Sequence, residues 1–276
     1  MNKIKTVRLD ADTKLGLRLT LTAPRPGERK MSKNTVVCVK KAHIAAITLN
    51  SASAGNAVNQ ELAQELAELC GRINGEDDIY VVTLTGSGSA FCVGSEGNIA
   101  EDYRPAASIA AIDRPVIAAI NGDASGPGLE IALSCDIRIA SDKAHFALPQ
   151  VAEGFIPADG GTQRLPRIIG RGKALELLMA AETLTAPEAL EIGLVSRVVP
   201  ADALAGEAAK LAETIAAKGP LALRYLKEAI NKGMDMTLEQ GLRLEADLYF
   251  LLHTTSDRTE GIKSYLEKRK PDYKGK

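Results

Sequence analysis

A chain of 276 residues, 45% apolar and 25% charged with a formal net charge of -1, can bury a sizeable core but lacks the basic excess that a nucleic-acid phosphate backbone demands. Its apolar runs are interrupted well short of the ~20 residues of a membrane span, and residues 1–10 alternate charges with no apolar stretch, so neither a span nor a cleavable leader is expected. Four dispersed cysteines, three dispersed histidines and no tryptophan offer no disulfide framework, metal-ligand spacing or stacking platform; the expectation is a cytoplasmic protein with reduced thiols, no metal, and no nucleic-acid or membrane partner.

Residues 1–33 form a polar lead with Pro24, Pro26 and a basic cluster at Arg29, Lys30 and Lys33. Residues 17–22 alternate as an edge strand would, but the segment reads as an extension outside the core. Residues 36–39 and 44–49 are β-branched and apolar around Lys40-Lys41-Ala42, which predicts a hairpin. A helix over 59–73 follows from Leu62, Leu66 and Leu69 at helical spacing. Residues 81–84 predict a buried strand, and the glycine-rich stretch 86–97 lacks the signatures of a phosphate-binding loop, so it reads as a turn leading to Ile99.

The stretch from Arg114 to Ala140 is the most informative. It predicts a buried strand over 116–120, a glycine-rich turn over 121–128, a short helix carrying Glu130, and a second strand over 137–140. A helix that starts at such a turn points free N–H groups and the positive end of its dipole at whatever lies ahead. A carboxylate in its first turn places an acid/base beside an anion-stabilising turn, which suits chemistry through an enolate or oxyanion. The alternative for Glu130 is a buried structural carboxylate.

A short strand over 144–147 runs into a loop at Leu148-Pro149-Gln150. Gly160-Gly161-Thr162 reads as a helix start after Asp159, and Thr185 with Glu188 forms a capping box that opens a helix ending near Gly193. Residues 194–199 predict another strand. Beyond Pro200 only helices are expected, over 202–217, 221–231 and from 238 after a Thr237/Gln240 capping box, with a mobile tail from Tyr273. Strands near 47, 83 and 118 recur about every 35 residues, which suggests repeated strand–helix units. The division is therefore an extension over 1–33, an α/β core over 34–200 and a helical module over 201–276.

Several ordered motifs make the chain resemble the crotonase superfamily, the enoyl-CoA hydratase/isomerase group. They are Ile47-Thr-Leu-Asn50 with Asn56-Ala-Val-Asn59, Ala90-Phe-Cys-Val-Gly-Ser-Glu96, the stretch from Arg114-Pro-Val-Ile to Cys135-Asp136, Ile156-Pro-Ala-Asp-Gly-Gly-Thr-Gln-Arg-Leu165, and the terminal run from Ser256 to Arg269. The resemblance implies a spiral of β-β-α units with a C-terminal α-helical trimerisation module, assembled as a homotrimer or a dimer of trimers. It also implies an acyl-CoA thioester as substrate, with coenzyme A part of that substrate and no further cofactor. Two backbone N–H groups would hold the thioester oxygen as an enolate forms; the first maps to Ser95. Ala57 and Val58, with Val93, Gly94, Ser95 and Glu96, would line the coenzyme A. Glu130 falls on one of two catalytic glutamates.

Two positions depart from that pattern. The second N–H donor maps to Pro127, which has none, although proline is favoured at the first helical position; Gly128 or the Ser125 side chain would have to replace it. Gln150 stands where the second glutamate is expected, and an amide cannot take up a proton at neutral pH. Glu153 or Asp159 could supply a second acid, Asp159 alternatively serving as a helix N-cap or ion-pair partner. The expected activity is proton transfer on an enoyl-CoA as a hydratase or isomerase. The alternatives are isomerisation, decarboxylation or hydrolysis of an unusual acyl-CoA, or a catalytically weakened acyl-CoA-binding protein.

Overall fold

A computed structural model describes residues 29–30, 35–96 and 104–276. The alternating pattern over 17–22 and the expected turn into Ile99 lie outside the described residues.

Two sheets and the helices around them form the core. The larger sheet contains β1 (Arg29–Lys30), β2 (Val36–Lys41), β3 (Ile44–Leu49), β4 (Val81–Gly86), β6 (Val116–Ile120), β8 (Ile137–Ser141) and β11 (Arg197–Val199) in that spatial order. The first three strands pair antiparallel and the rest parallel. β1 thus places part of the expected extension on the sheet edge, with Arg29 opposite Lys40. The smaller sheet runs β10 (Thr183–Thr185), β9 (His145–Ala147), β7 (Ala124–Ser125), β5 (Cys92–Val93), and its last three strands are parallel.

Each turn of the chain contributes a strand to the large sheet, a short strand to the small one, and then a helix. β4, β5 and α2 (Pro105–Ala110) form one such unit, and β6, β7 and α3 (Pro127–Ser134) the next. β8 and β9 are followed by a 3-10 turn over Pro149–Glu153 and α4 (Gly161–Ile169). β3 precedes an isolated bridge from Val58 to Ser95 and then α1 (Gln60–Asn74). This is the β-β-α spiral that the resemblance implies; the spacing of the three strands pointed only to repeated strand–helix units. Parallel neighbours need crossovers, and the helices supply them while covering the sheet.

α1 illustrates how the sequence builds a layer. Asn59 caps it, its side-chain oxygen accepting the Leu62 N–H at 2.9 Å, and Leu62, Leu66, Leu69 and Ile73 form one buried stripe. Burying each such side chain contributes roughly 1.5–3 kcal/mol. α5 (Arg171–Ala180) and α6 (Ala186–Glu191) close the same core; Glu188 accepts the Thr185 N–H at 2.8 Å at the start of α6. All four cysteines are free and buried.

α7 (Leu204–Ala216) differs from the expected division at residue 201. Its Leu204, Ala208 and Ala212 pack with Val81, Ile117 and Ile139 in a second apolar cluster, so the helix covers a sheet face. The projecting helices are α8 (Pro220–Gly233), α9 (Leu238–Leu252) and α10 (Ser256–Leu266). Lys227 pins α8 to the core, its Nζ donating to Asp136 Oδ2 at 2.8 Å and to the Arg114 carbonyl at 2.9 Å. Among the described residues, no helix is long and apolar enough to cross a membrane.

The tail from Tyr273, expected to be mobile, is docked. The Lys274 and Gly275 N–H groups donate to the two oxygens of buried Asp257 at 2.7 and 2.9 Å, and the Lys276 carbonyl accepts the Ser256 N–H at 2.7 Å. The orphan donors at the start of α10 thus find partners in the last residue, a constraint no local pattern reveals. Replacing Asp257 by Ala leaves two N–H groups without their acceptor; the expected cost is about 1–3 kcal/mol, with proteolytic trimming after residue 270 that the wild type resists, read by calorimetry and limited digestion.

Candidate active site

Three turns leave the same end of the small parallel sheet. The register pairs Cys92 with Ala124 and Ala124 with Phe146, then Val93 with Ser125 and Ser125 with Ala147. The next residues out are Gly94, Gly126 and Leu148, followed by Ser95, Pro127 and Pro149, then Glu96, Gly128 and Gln150. Residues some 30 and 20 apart in sequence therefore stand side by side because three two- or three-residue strands are in register.

Backbone contacts lock the turns together. The Gly94 N–H donates to the Ser125 carbonyl at 3.1 Å and the Gly126 N–H to the Ala147 carbonyl at 2.9 Å. Val58 brackets the first turn, its N–H donating to the Gly94 carbonyl at 3.1 Å and its carbonyl accepting the Glu96 N–H at 2.9 Å. Ala57 and Val58 are buried beneath this turn, while Ser95 and Glu96 are exposed. The structure thus brings together every residue that the resemblance assigned to coenzyme A. Asn56 and Asn121, both donating to the Ala90 carbonyl at 2.9 and 3.0 Å, fix the loop behind it.

Gly126 has φ 56° and ψ -124°, which a side chain would strain, and a Cβ there would lie 3.7 Å from Gln150 Nε2 and 3.9 Å from Gly94 Cα. Pro127 is the first residue of α3, the favoured place for proline. It donates nothing, so the first N–H that α3 offers is that of Gly128. Among the described residues neither the Ser95 nor the Gly128 N–H donates a hydrogen bond to the protein. Gly128 is itself irreplaceable, because a Cβ there would sit 1.9 Å from the Cys92 carbonyl oxygen.

Glu130 is 2% exposed. Its Oε1 accepts the N–H groups of Asp159 at 2.7 Å and of Gly161, the first residue of α4, at 2.8 Å. The carboxylate therefore rests on the positive end of α4. Gly161 is needed for this approach, since a Cβ would come within 3.2 Å of Oε1 and 2.7 Å of Pro157 Cβ. Burial pushes the Glu130 carboxyl above its ordinary range, opposed by the two N–H donors and Arg164 and reinforced by the Asp159 charge. Oε2 makes no hydrogen bond among the described residues.

The remaining acidic candidates are engaged elsewhere or exposed. Both Asp159 oxygens are occupied at the start of α2, Oδ2 accepting the Ala106 N–H at 2.6 Å and Oδ1 the Ala107 N–H at 3.1 Å. It is a helix N-cap, as one reading allowed, but for a helix more than 50 residues away. Glu153 is exposed at the end of the 3-10 turn. Gln150 is half-buried, and its Oε1 is buried with no partner among the described residues. Sequence reasoning did not find the roles of Gly161 and the Asp159 backbone; the adjacent glycines after Pro157 were the available signal. Among the described residues no group of His, Cys, Asp or Glu has the arrangement of a metal site.

The enoyl-CoA hydratase/isomerase family profile matches residues 39–276. The Bacillus subtilis protein YngF, whose name places it among enoyl-CoA hydratases/isomerases, is 44% identical over 259 residues, covering 89% of this chain and all of its own. The 2,3-dehydroadipyl-CoA hydratase of Escherichia coli is 37% identical, with 87% and 99% covered. The crystal structure of enoyl-CoA hydratase from Bacillus anthracis superposes with a TM-score of 0.85 at 39% identity, covering 88% of this chain and all of that one.

Two outcomes test this geometry. Gly128→Ala must separate the first two turns, so it is expected either to yield insoluble protein or to melt several degrees lower than wild type. Glu130 releases its proton less readily folded than unfolded, so stability falls as pH rises from the ordinary glutamate value of ~4.3 through the raised folded value. Glu130→Gln keeps an acceptor for the two N–H groups; calorimetry should find it melting above wild type at neutral pH and losing that advantage near about pH 4.

Proposed function

The chain belongs to the enoyl-CoA hydratase/isomerase family and is an acyl-CoA-processing enzyme of the crotonase type, and from that premise we propose that its proton transfer runs through one carboxylate, Glu130. The observation that carries this is the fate of the three acids near the site: Glu130 alone is both buried there and left with an oxygen unengaged among the described residues. Isomerisation of an enoyl thioester needs no second carboxylate.

In this reading the thioester carbonyl accepts hydrogen bonds from the Ser95 and Gly128 N–H groups. Glu130 Oε2 takes the α proton of a β,γ-unsaturated thioester as the C–H bond breaks, and the electron pair moves onto the carbonyl oxygen as a dienolate. The same oxygen returns the proton at the γ carbon, the double bond shifts to α,β, and carboxylate and carbonyl are restored. The raised affinity of Glu130 for its proton suits a group that must both take and give it. No redox or metal cofactor enters, coenzyme A arriving with the substrate.

Hydration is the second reading, favoured by Gln150, whose buried Oε1 is an unused acceptor beside the site. A water donating to that oxygen would be held for addition at the β carbon, Glu130 taking its proton as the C–O bond forms and the electron pair moves to the thioester oxygen, then returning it to the α carbon as the enolate collapses. The amide orients such a water without accepting its proton, so hydration would be the slower activity. The apolar residues Leu226 and Ile230 on α8, Met234 just after it, and Leu242 and Phe250 on α9 are exposed in the single chain, and burial between copies in a homotrimer or paired trimers would account for their exposure.

Assays with a 3-enoyl-CoA and with crotonyl-CoA separate the readings. Wild type is expected to isomerise the first faster than it hydrates the second, and Glu130→Gln to lose both by roughly 100- to 10,000-fold. Gln150→Glu is expected to raise hydration by at least about tenfold. Equal rates for wild type and Glu130→Gln would remove Glu130 from the mechanism, and binding of acyl-CoA without turnover of either thioester would make the protein a binder.

A further inference from the structure

Asp159 is the only residue that ties the first turn of α2 to the catalytic carboxylate among the described residues. Its side chain accepts the Ala106 and Ala107 N–H groups of α2, at 2.6 and 3.1 Å, and its own N–H donates to Glu130 Oε1 at 2.7 Å. Its carbonyl is not free either: Arg164 Nη1, one turn into α4, donates to it at 2.7 Å. All three polar parts of one residue thus hold a separate element, α2, α3 or α4. Gly160, at φ 104°, gives Arg164 the room to reach back, because a Cβ there would lie 2.1 Å from Nη1.

We propose that Asp159, clamped from behind by Arg164, is a positioning residue that fixes Glu130 Oε1 and so aims Oε2 at the substrate carbon. The inference rests on Glu130 being the proton-transferring group. If the Asp159 carboxylate lets go of α2, the 159–161 backbone is held at one end only, and both donors to Oε1 can drift. The charged groups around the pair are few. Arg164 acts on Glu130 and Asp159 from α4, Arg104 acts on Asp159 from the start of α2, and the Asp159 charge acts on Glu130. The Asp159 charge favours protonation of Glu130, and the Arg164 charge disfavours it.

Loss of the two N–H donors and loss of a neighbouring charge are read on one observable, the protonation of Glu130. In protein labelled with 13C at glutamate side-chain carboxyls, the Glu130 resonance is the one missing from Glu130→Gln, and its titration needs no substrate. Asp159→Asn, which offers α2 one acceptor instead of two, is expected to raise the Glu130 midpoint, because drifting N–H donors no longer favour the charged form, and to quicken amide exchange at Ala106, Ala107 and Gly161; loss of the Asp159 charge alone would lower the midpoint. Arg164→Gln is expected to raise the midpoint. With a turned-over enoyl-CoA, Asp159→Asn should lower kcat roughly 10- to 100-fold and change KM little. A midpoint lowered or unmoved in Asp159→Asn overturns the inference. If Asp159→Asn does not fold, an unmoved midpoint in Arg164→Gln overturns it alone. Failure of the wild type to turn over any enoyl-CoA would strike the functional reading, while the titration still decides whether Asp159 sets the state of Glu130.

Discussion

The site depends on one backbone contact. The Cys92 carbonyl presses so closely against Gly128 that no side chain fits between them, and this joins the turn after β5 to the first turn of α3. Everything else in the site follows from that proximity. The Ser95 N–H belongs to one of these segments and the Gly128 N–H to the other, so the contact sets the gap between the two donors. Pro127 is tolerated because the helix start needs a fixed φ at that position, and the following N–H remains. The oxyanion site proposed for these two donors would thus be backbone held by backbone, which costs little reorganisation when charge develops.

Glu130 poses the complementary problem of a carboxylate out of water. Burial disfavours its charge, and the fold offsets this with two N–H groups at the start of α4 rather than with a cation in contact. An ion pair would have lowered its affinity for a proton and tied up both oxygens. The helix terminus engages one oxygen and leaves the other to react. Asp159, nearby and half-buried, spends both side-chain oxygens on α2, so of the two carboxylates only Glu130 keeps an oxygen unengaged among the described residues.

Much of this architecture was legible in the sequence where patterns are long. The leucine stripe of α1, the β-branched runs of β3, β4 and β6, and the capping boxes at Thr185 and Thr237 all sit where their periodicity and caps place them. The small sheet was not legible, since β5 and β7 are two residues each and show no alternation. That sheet is what aligns the catalytic turns, so their juxtaposition came from the motifs rather than from periodicity. Asp159 illustrates the same limit: its partners lie more than 50 residues away in α2, and a local reading assigned it either to its own helix or to chemistry. The docked tail fails to show for the same reason, Asp257 and Lys274 being linked only through the folded chain.

The central claim is that a thioester carbonyl sits between Ser95 and Gly128 with a single carboxylate poised at its carbon. A crystal structure with a non-reactive enoyl-CoA analogue tests this most directly. The account predicts the thioester oxygen within hydrogen-bond distance of both N–H groups and Glu130 Oε2 in contact with the α carbon. A thioester bound with its oxygen turned away from Gly128, or with Gln150 or another acid at the α carbon in place of Glu130, would contradict it.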